Sequence, residues 1–266
     1  MLNAHVYAVI MAGGTSKALW PVARKRCPVQ CLDLFHEATM LELTIRRIMP
    51  LVPPERILVV TGREGRECLQ QSGLELPPEN IIAEPVARNT APCIALATVY
   101  IRARDPEAIT IVLPSDHDVR DQDVFAGIIE AGVLVASEKT GLVTIGVRPS
   151  YPETEYGYIQ TEEQLPDKER ETGGGAVFSL YRVRTFAEKP DRNTAVHFLE
   201  SRDFFWNSGI FIWHVDAISR EFERSLPDLH KDFANISRHL HEPNIDDLIE
   251  ICQRSEERRV GKECRS

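Results

Sequence analysis

The chain has 266 residues, 43% hydrophobic and 27% charged, a composition ordinary for a folded globular protein and long enough for one large α/β domain or two small ones. Its 31 Lys and Arg against 40 Asp and Glu leave a net charge of −9, which argues against nucleic acid as a partner but leaves room for a small anionic ligand held by a few local cations. No stretch approaches the ~20 apolar residues of a membrane span, and the N-terminal apolar run has neither the basic flank nor the length of a signal peptide, so the expectation is a cytoplasmic protein with no membrane partner.

The first predicted element is a buried strand from Val6 to Met11 that opens into Ala12-Gly13-Gly14 and then a basic segment ending at Trp20-Pro21. A strand that runs into a glycine pair presents backbone N–H groups to a phosphate chain, and glycines without Cβ let that chain come close. An ordinary tight turn is the alternative reading of an isolated Gly-Gly. A continuous apolar run, Ile57 to Thr61, reads as a second strand. Thr90 to Arg104 reads as a helix, with Ile94, Ala95, Ala97 and Ile101 on one broad face. Thr110 to Leu113 is a strand stopped by Pro114. Asp123 to Glu138 carries Phe125, Ile128, Ile129 and Leu134 at helical spacing, and Leu142 to Val147 is a strand again. This alternation predicts a mostly parallel sheet with helices on both faces.

After Pro149 the pattern changes. Tyr156 to Gln160 and Phe178 to Phe186 read as antiparallel strands around a polar, glycine-rich loop from Glu162 to Gly175. A helix is expected at Asn193 to Glu200, then Trp206-Asn207-Ser208-Gly209 leads into a strand from Ile210 to His214, and Ala217 to Cys252 is helical in pattern. Six cysteines are scattered without pairing symmetry and read as thiols of a reducing compartment. Cys27, Cys31 and His36 lie close in sequence, but no second Cys/His pair stands at metal-ligand spacing, so small half-buried residues are the expectation. The last dozen residues, 255–266, hold one aliphatic residue and no amphipathic period. The expected organisation is one domain over 1–253 followed by a disordered or foreign tail over 254–266.

Several polar residues fall where chemistry can use them. Asp116 sits just past a buried strand, and in an open α/β sheet the carboxyl ends of the strands line the ligand crevice. A hard carboxylate there suits Mg2+ bridging nucleotide phosphates; a helix cap is the alternative. His117 and Asp118 read as packing or solvent residues. Glu84, Arg88, Asn89 and Thr90 occupy a strand-to-helix junction whose helix start offers unpaired N–H groups. Glu188 and Lys189 end a strand before Pro190, and a Lys is a compact cation suited to a phosphate monoester. A surface ion pair, worth ~1 kcal/mol or less, is the alternative there.

These residues stand in ordered motifs: Met11-Ala12-Gly13-Gly14 with Leu19-Trp20-Pro21; Glu84-Pro85-Val86-Ala87-Arg88-Asn89-Thr90-Ala91-Pro92; Leu113-Pro114-Ser115-Asp116-His117; Pro152-Glu153-Thr154 with Tyr156-Gly157-Tyr158-Ile159; Phe186-Ala187-Glu188-Lys189-Pro190-Asp191; and Trp206-Asn207-Ser208-Gly209-Ile210-Phe211. In that order they resemble the sugar-phosphate nucleotidylyltransferases, within them the mannose-1-phosphate guanylyltransferase group, from about Val6 to about Asp232. The resemblance implies a Rossmann-like nucleotidyltransferase fold of the glycosyltransferase-A type, a mixed and mostly parallel sheet with helices on both faces. It implies GTP and mannose 1-phosphate as substrates, GDP-mannose and pyrophosphate as products, Mg2+ as cofactor, and allows a homodimer. It assigns Ala12, Gly13, Gly14, Glu84, Arg88, Asn89 and Thr90 to the nucleotide, Asp116 to the metal, and Gly157, Glu188, Lys189 and Asn207 to the sugar phosphate, with Lys17, Asp116 and Lys189 as the catalytic group. The diglycine, Asp116 and Lys189 are then expected on the rim of one crevice.

The chain departs from the family pattern at telling positions. That pattern reads Gly-Gly-x-Gly-Thr-Arg-Leu and then Pro-Lys; here Ser16, Lys17 and Ala18 replace Gly, Thr and Arg, and Val29 follows Pro28 in place of Lys. Cys31 replaces a Phe and Glu155 a Gly. Positioning and charge neutralisation carry a nucleotidyl transfer, and losing one such donor costs ~100- to 1,000-fold. Reduced activity is therefore expected, with Lys17 as partial substitute. The family continues into a Trp-Ser-Asp-Val-Gly-type motif that supplies a second metal-binding Asp; no such motif occurs here, and the natural frame is expected to end near Gln253. The alternatives are a catalytically weak sugar-nucleotide-binding relative or gene fragment, and a metal-dependent glycosyltransferase using Asp116-His117-Asp118. A dinucleotide enzyme is disfavoured because no G-x-G-x-x-G follows the first strand.

Overall fold

A computed structural model of the chain describes residues 2–13, 22–23, 28–34, 36–71, 75–84, 90–138, 141–164, 170–171 and 177–240. Its strands are β1 (Val6–Ala12), β2 (Ile57–Thr61), β3 (Ile81–Ala83), β4 (Ile109–Pro114), β5 (Leu142–Val147), β6 (Tyr158–Gln164), β7 (Arg170–Glu171), β8 (Val177–Phe178), β9 (Tyr181–Ala187) and β10 (Phe204–His214). The helices are α1 (Met40–Ile48), α2 (Arg63–Gln71), α3 (Thr90–Arg104), α4 (Gln122–Ala136), α5 (Arg192–Ser201), α6 (Val215–Ser225) and α7 (Pro227–Arg238).

The main sheet runs β3-β2-β1-β4-β10-β6-β9, with β5 on the other side of β10. From β3 to β4 every pairing is parallel, and β10 enters antiparallel to β4. The expected mixed α/β sheet is thus divided into a parallel half and an antiparallel half. Alternation along the central strands sorts their side chains onto two faces. Val6, Ala8, Ile10 and Ala12 of β1 pack with Leu41, Ile45 and Ile48 of α1 and Phe125, Ile129 and Val133 of α4. Tyr7 and Val9 face the other way, onto Ile94, Leu96 and Ile101 of α3 and onto Ile218, Leu229 and Phe233 of α6 and α7. Ile57 and Val59 of β2 take the first face and Leu58 and Val60 the second, so the parallel strands are buried on both sides.

Thr90 to Arg104 is helical over the span expected, and Ile57 to Thr61 and Leu142 to Val147 are strands as expected. The run from Ala217 is two helices, because Leu226 leaves helical geometry and Pro227 begins a new helix at its first position. Residues 241–252 of that run, and the tail expected over 254–266, lie outside the described residues. The strand expected from Ile210 begins six residues earlier, at Phe204. A two-stranded ribbon, β7 with β8, falls within or beside the loop expected from Glu162. Three further elements were not anticipated. One is α1, whose start is a capping box: Thr39 accepts from the Glu42 N–H at 3.3 Å and Glu42 accepts from the Thr39 N–H at 2.7 Å. The others, α2 and β3, are a mostly polar helix with few apolar residues and a three-residue edge strand.

Candidate active site

The parallel register brings four strand ends to one line. Thr61 pairs with Ala12 and with Ala83, and Met11 pairs with Pro114. Gly13, Glu84 and Asp116 therefore emerge side by side at the carboxyl edge, where open α/β sheets bind ligands. A cavity of about 200 Å³ lies there, lined by Gly13, Val29, Gln30, Glu84, Thr90 and Asp116 among others. Of the residues expected at the nucleotide, Gly13, Glu84 and Thr90 line this cavity. Ala12 stands behind it, its side chain in the core. Gly14, Lys17, Arg88 and Asn89 lie outside the described residues, as do Ser16 and Ala18.

The end of β1 is held from both sides. The Ala12 carbonyl accepts from the Gln30 side-chain amide at 2.8 Å and from the Thr61 hydroxyl at 2.7 Å, and all three residues are buried. These bonds fix the direction in which the chain leaves Ala12 for Gly13. Glu84 is buried as well, and its N–H donates to the Thr61 carbonyl at 2.8 Å. Burial pushes the Cys93 thiol well up, and the Glu84 carboxylate beside it adds to the effect. Neither Gln30 nor Thr61 was singled out from sequence, since a Gln in a short irregular stretch and a Thr at a strand end carry no periodic signal.

Asp116 is exposed and lines a second, larger groove of about 750 Å³, together with Phe125, Ile145, Tyr156, Trp206 and Asn207 among others. It is the junction between cavity and groove. The loop that carries it is gripped from below: Arg47 of α1, largely buried, donates to the His117 carbonyl at 3.1 Å and its guanidinium lies 5.7 Å from the centre of the Phe125 ring. Burial lowers the Arg47 pKa, against the pull of Asp118. Burial likewise lowers that of His117, opposed by Asp116 and assisted by Arg47.

Three of the residues expected at the sugar phosphate, Gly157, Glu188 and Asn207, gather beside a bulge in β10. Pairing with β5 shifts register between Asn207 and Phe211, and Gly209 sits at φ 71°, a left-handed conformation that favours glycine. Side chains replace the interrupted ladder: Ser208 donates to the Ile145 carbonyl at 2.6 Å and accepts from the Ile210 N–H at 3.2 Å. The Asn207 side-chain oxygen accepts from the Gly209 N–H at 3.1 Å. Its amide NH2 makes no hydrogen bond among the described residues, and the residue lines the groove. The bulge lies against the end of β4, where a Cβ on Gly209 would stand 3.4 Å from Pro114.

Gly157 lies beside this bulge. Its carbonyl accepts from the Asn207 N–H at 2.8 Å, and a Cβ there would lie 3.1 Å from a Glu188 carboxylate oxygen and 3.6 Å from the Asn207 Cβ. Gly157, Glu188 and Asn207 are thus one cluster. Lys189 is exposed, forms no ion pair among the described residues, and holds φ 43° immediately before Pro190. A non-glycine residue there carries strain on the order of 1–3 kcal/mol. Lys189 follows Glu188 in the chain but is not in the lining of either the cavity or the groove. The groove also has an aromatic wall that sequence reading passed over: Trp206 meets Tyr151 and Tyr156 edge-on, at 4.9 and 5.5 Å between ring centres.

Residues 7–244 match the family model described as nucleotidyl transferase. Among curated proteins, a mannose-1-phosphate guanylyltransferase of Klebsiella pneumoniae is 39% identical over 223 residues, 83% of this chain and 45% of that protein. One of Escherichia coli is 32% identical over 243 residues, 90% of this chain and 51% of its own length. The chain spans about half the length of these relatives. A solved structure from Thermus thermophilus, described as a mannose-1-phosphate geranyltransferase, superposes with a TM-score of 0.77 at 31% identity, over 92% of this chain and 67% of that one. No helix among the described residues is long and apolar enough to cross a membrane. On its sequence match and its sheet alike, the chain belongs to the nucleotidyl transferase family and is similar over most of its length to the mannose-1-phosphate guanylyltransferases.

Proposed function

We propose that the chain binds GTP and mannose 1-phosphate and carries the framework for their conversion to GDP-mannose and pyrophosphate. The observation that carries this reading is the position of Asp116, whose carboxylate belongs to both the cavity beside Gly13 and the groove that reaches Asn207. The cavity would take the nucleotide phosphates and the groove the sugar phosphate, with Asp116 between them.

In the reaction an oxygen of the sugar phosphate attacks the α-phosphorus of GTP. The bond from that phosphorus to the bridging oxygen breaks, and its electron pair leaves with pyrophosphate. Gly13 and Gly14 let the triphosphate lie against the backbone, and Glu84, Arg88, Asn89 and Thr90 border the nucleotide. Lys189 is placed in this reading at the sugar phosphate, Glu188 and the Asn207 amide at its hydroxyls, and Gly157 leaves room for the ring. Lys17 stands in for the missing Arg as a point charge.

Asp116 fits a Mg2+ ligand. Its carboxylate is exposed on the cavity and makes no hydrogen bond or ion pair among the described residues, and Mg2+ in such sites is held by one or two carboxylates together with substrate phosphates. No cluster of three or more His, Cys, Asp or Glu that could hold a metal by itself occurs among the described residues. When bound there, Mg2+ would neutralise phosphate charge as pyrophosphate departs. The same reading places the protein in the cytoplasm.

A second reading, a sugar-nucleotide-binding relative of low activity, is favoured by Val29. This buried apolar side chain forms part of the cavity wall at the position where the family pattern carries a Lys. Pyrophosphate release from GTP and mannose 1-phosphate with Mg2+ separates the two, run on this chain and on an Ala18→Arg plus Val29→Lys variant. Slow release by the chain and faster release by the variant is the expected result. Binding of GDP-mannose by both with release by neither favours the second reading, and absence of both binding and release overturns the first.

A further inference from the structure

A cavity of about 200 Å³ lies among α3, α6 and α7, the helices that pack on one another over the Tyr7 and Val9 face of the sheet. α3 turns Ala95, Thr98 and Arg102 toward it, and α7 turns His230, Phe233 and Ala234. Residues three, four or seven apart share one helix face, so each helix presents a continuous stripe to the cavity. Small side chains keep it open: Ala95, Thr98, Ala234 and Ser219 of α6 are too short to fill the junction of three helices. We propose that this cavity binds a small organic monocarboxylate with an apolar body, and that Arg102 takes its carboxylate.

The charge of the lining points to an anion. Arg102 and His230 are its ionisable residues, and it holds no carboxylate of its own. The Arg102 guanidinium is exposed and makes no hydrogen bond among the described residues; its contact there is an ion pair with Asp216 at 3.4 Å. A pair between half-exposed side chains adds little stability. Asp216 also keeps a favourable place without it, because it stands in the first turn of α6, where a helix N-terminus favours a carboxylate. The forked donors of Arg102 can therefore turn to a ligand carboxylate at low cost. One such cation, shared with Asp216, suits a single negative charge rather than two.

The rest of the lining suits an apolar body. Phe222 and Phe233 offer aromatic surface, and Val99 and Ala95 aliphatic surface. Thr98 and Ser219 are buried, and their hydroxyls donate to the Ile94 and Val215 carbonyls of their own helices at 2.7 and 2.8 Å. Those hydrogens are already used, so neither hydroxyl binds an anion, and the head group is directed to Arg102. The His230 ring makes no hydrogen bond or ion pair among the described residues and adds a polar contact without negative charge. The site is separate from the cavity beside Gly13: Thr90, at the start of α3, lines that cavity, and Arg102 lies about 18 Å further along the same helix.

Benzoate is the probe, with benzyl alcohol as its neutral counterpart and phenyl phosphate as a dianion, each titrated onto the full chain by ligand-observed NMR. Benzoate is expected to bind with a Kd on the order of 1 mM, and benzyl alcohol at least about tenfold more weakly. Arg102→Met, a change at an exposed side chain, is expected to bring benzoate to the level of benzyl alcohol. Ala234→Leu fills the cavity and is expected to remove binding of both, with thermal unfolding showing that each variant is folded; Arg102→Met decides alone should Ala234→Leu fail to fold. Equal affinity for benzoate and benzyl alcohol overturns the anion assignment, and tighter binding of phenyl phosphate than of benzoate overturns the single charge. Benzoate binding that survives either folded variant unchanged, or none at about ten times the expected Kd, overturns the site. None of these readouts involves GTP or turnover.

Discussion

The guanidinium of Arg47 donates to the carbonyl of His117 across 3.1 Å, joining α1 to the loop that presents Asp116. The two residues are 70 apart in sequence, and the bond lies beneath the loop rather than in the site. Its Nε is buried with no hydrogen-bond partner in the described structure, so the contact is not simply the most favourable way to bury that side chain. Arg47→Met keeps the apolar stem and removes the donor. It is expected to cost about 1–2 kcal/mol by urea unfolding, because relief of the unpartnered Nε offsets part of the lost charged bond. Hydrogen exchange over residues 115–121 should rise more than elsewhere, and a uniform rise over the whole sheet would sink the idea that Arg47 acts on this loop.

Gln30 and Thr61 share one acceptor. Gln30→Leu leaves the Ala12 carbonyl with the Thr61 hydroxyl, and the expected loss is about 1 kcal/mol. The double variant Gln30→Leu plus Thr61→Val strands a buried carbonyl and should cost more than the two single changes summed. Strict additivity in thermal or chemical unfolding would contradict a shared role.

Gly157→Ala probes the cluster around Asn207. The added Cβ meets the end of the exposed, flexible Glu188 side chain at 3.1 Å, so Glu188 swings aside and the fold holds, with a stability change below about 1 kcal/mol. On the proposed function, the displaced carboxylate and the lost space should weaken binding of mannose 1-phosphate by about tenfold while GTP binding is unchanged. Calorimetry with each ligand separately checks this; equal loss for both would remove Gly157 from the sugar side.

His117 predicts a dependence on pH. Burial depresses its folded-state pKa below the ~6.5 of the unfolded chain, so between those values the unfolded state binds the extra proton. Its contribution to stability is therefore complete above about pH 6.5 and is lost on acidification toward the folded pKa. His117→Gln should flatten the acid side of a stability–pH curve relative to the parent. Parallel curves for the two proteins below about pH 6.5 would rule this out.

The alternation of apolar runs, visible in Val6 to Met11, Ile57 to Thr61 and Thr90 to Arg104, was enough for the fold class, because burial on both faces of a parallel sheet demands continuous apolar strands and broadly apolar helices. The positions of Gly13 and Asp116 followed from the same logic, since a strand end can be read from where an apolar run stops. Helix α1 escaped notice although Thr39 and Glu42 spelled its cap, and α2 and β3 were too polar or too short to register.

What a linear pattern of residues determined was therefore local: which segments are strands, where they end, and which polar groups sit just beyond. Only the tertiary structure decided which of those groups meet. It joined Asp116 to Asn207 along one groove, put Glu188 against Gly157, and tied the Ala12 carbonyl to Gln30 and Thr61, because sheet register, a β-bulge and a short turn packed under the sheet edge bring together residues from 18 to 91 positions apart. Periodicity encodes the environment of each segment, whereas contacts across the sheet depend on how the segments pair, which no single stretch of sequence specifies.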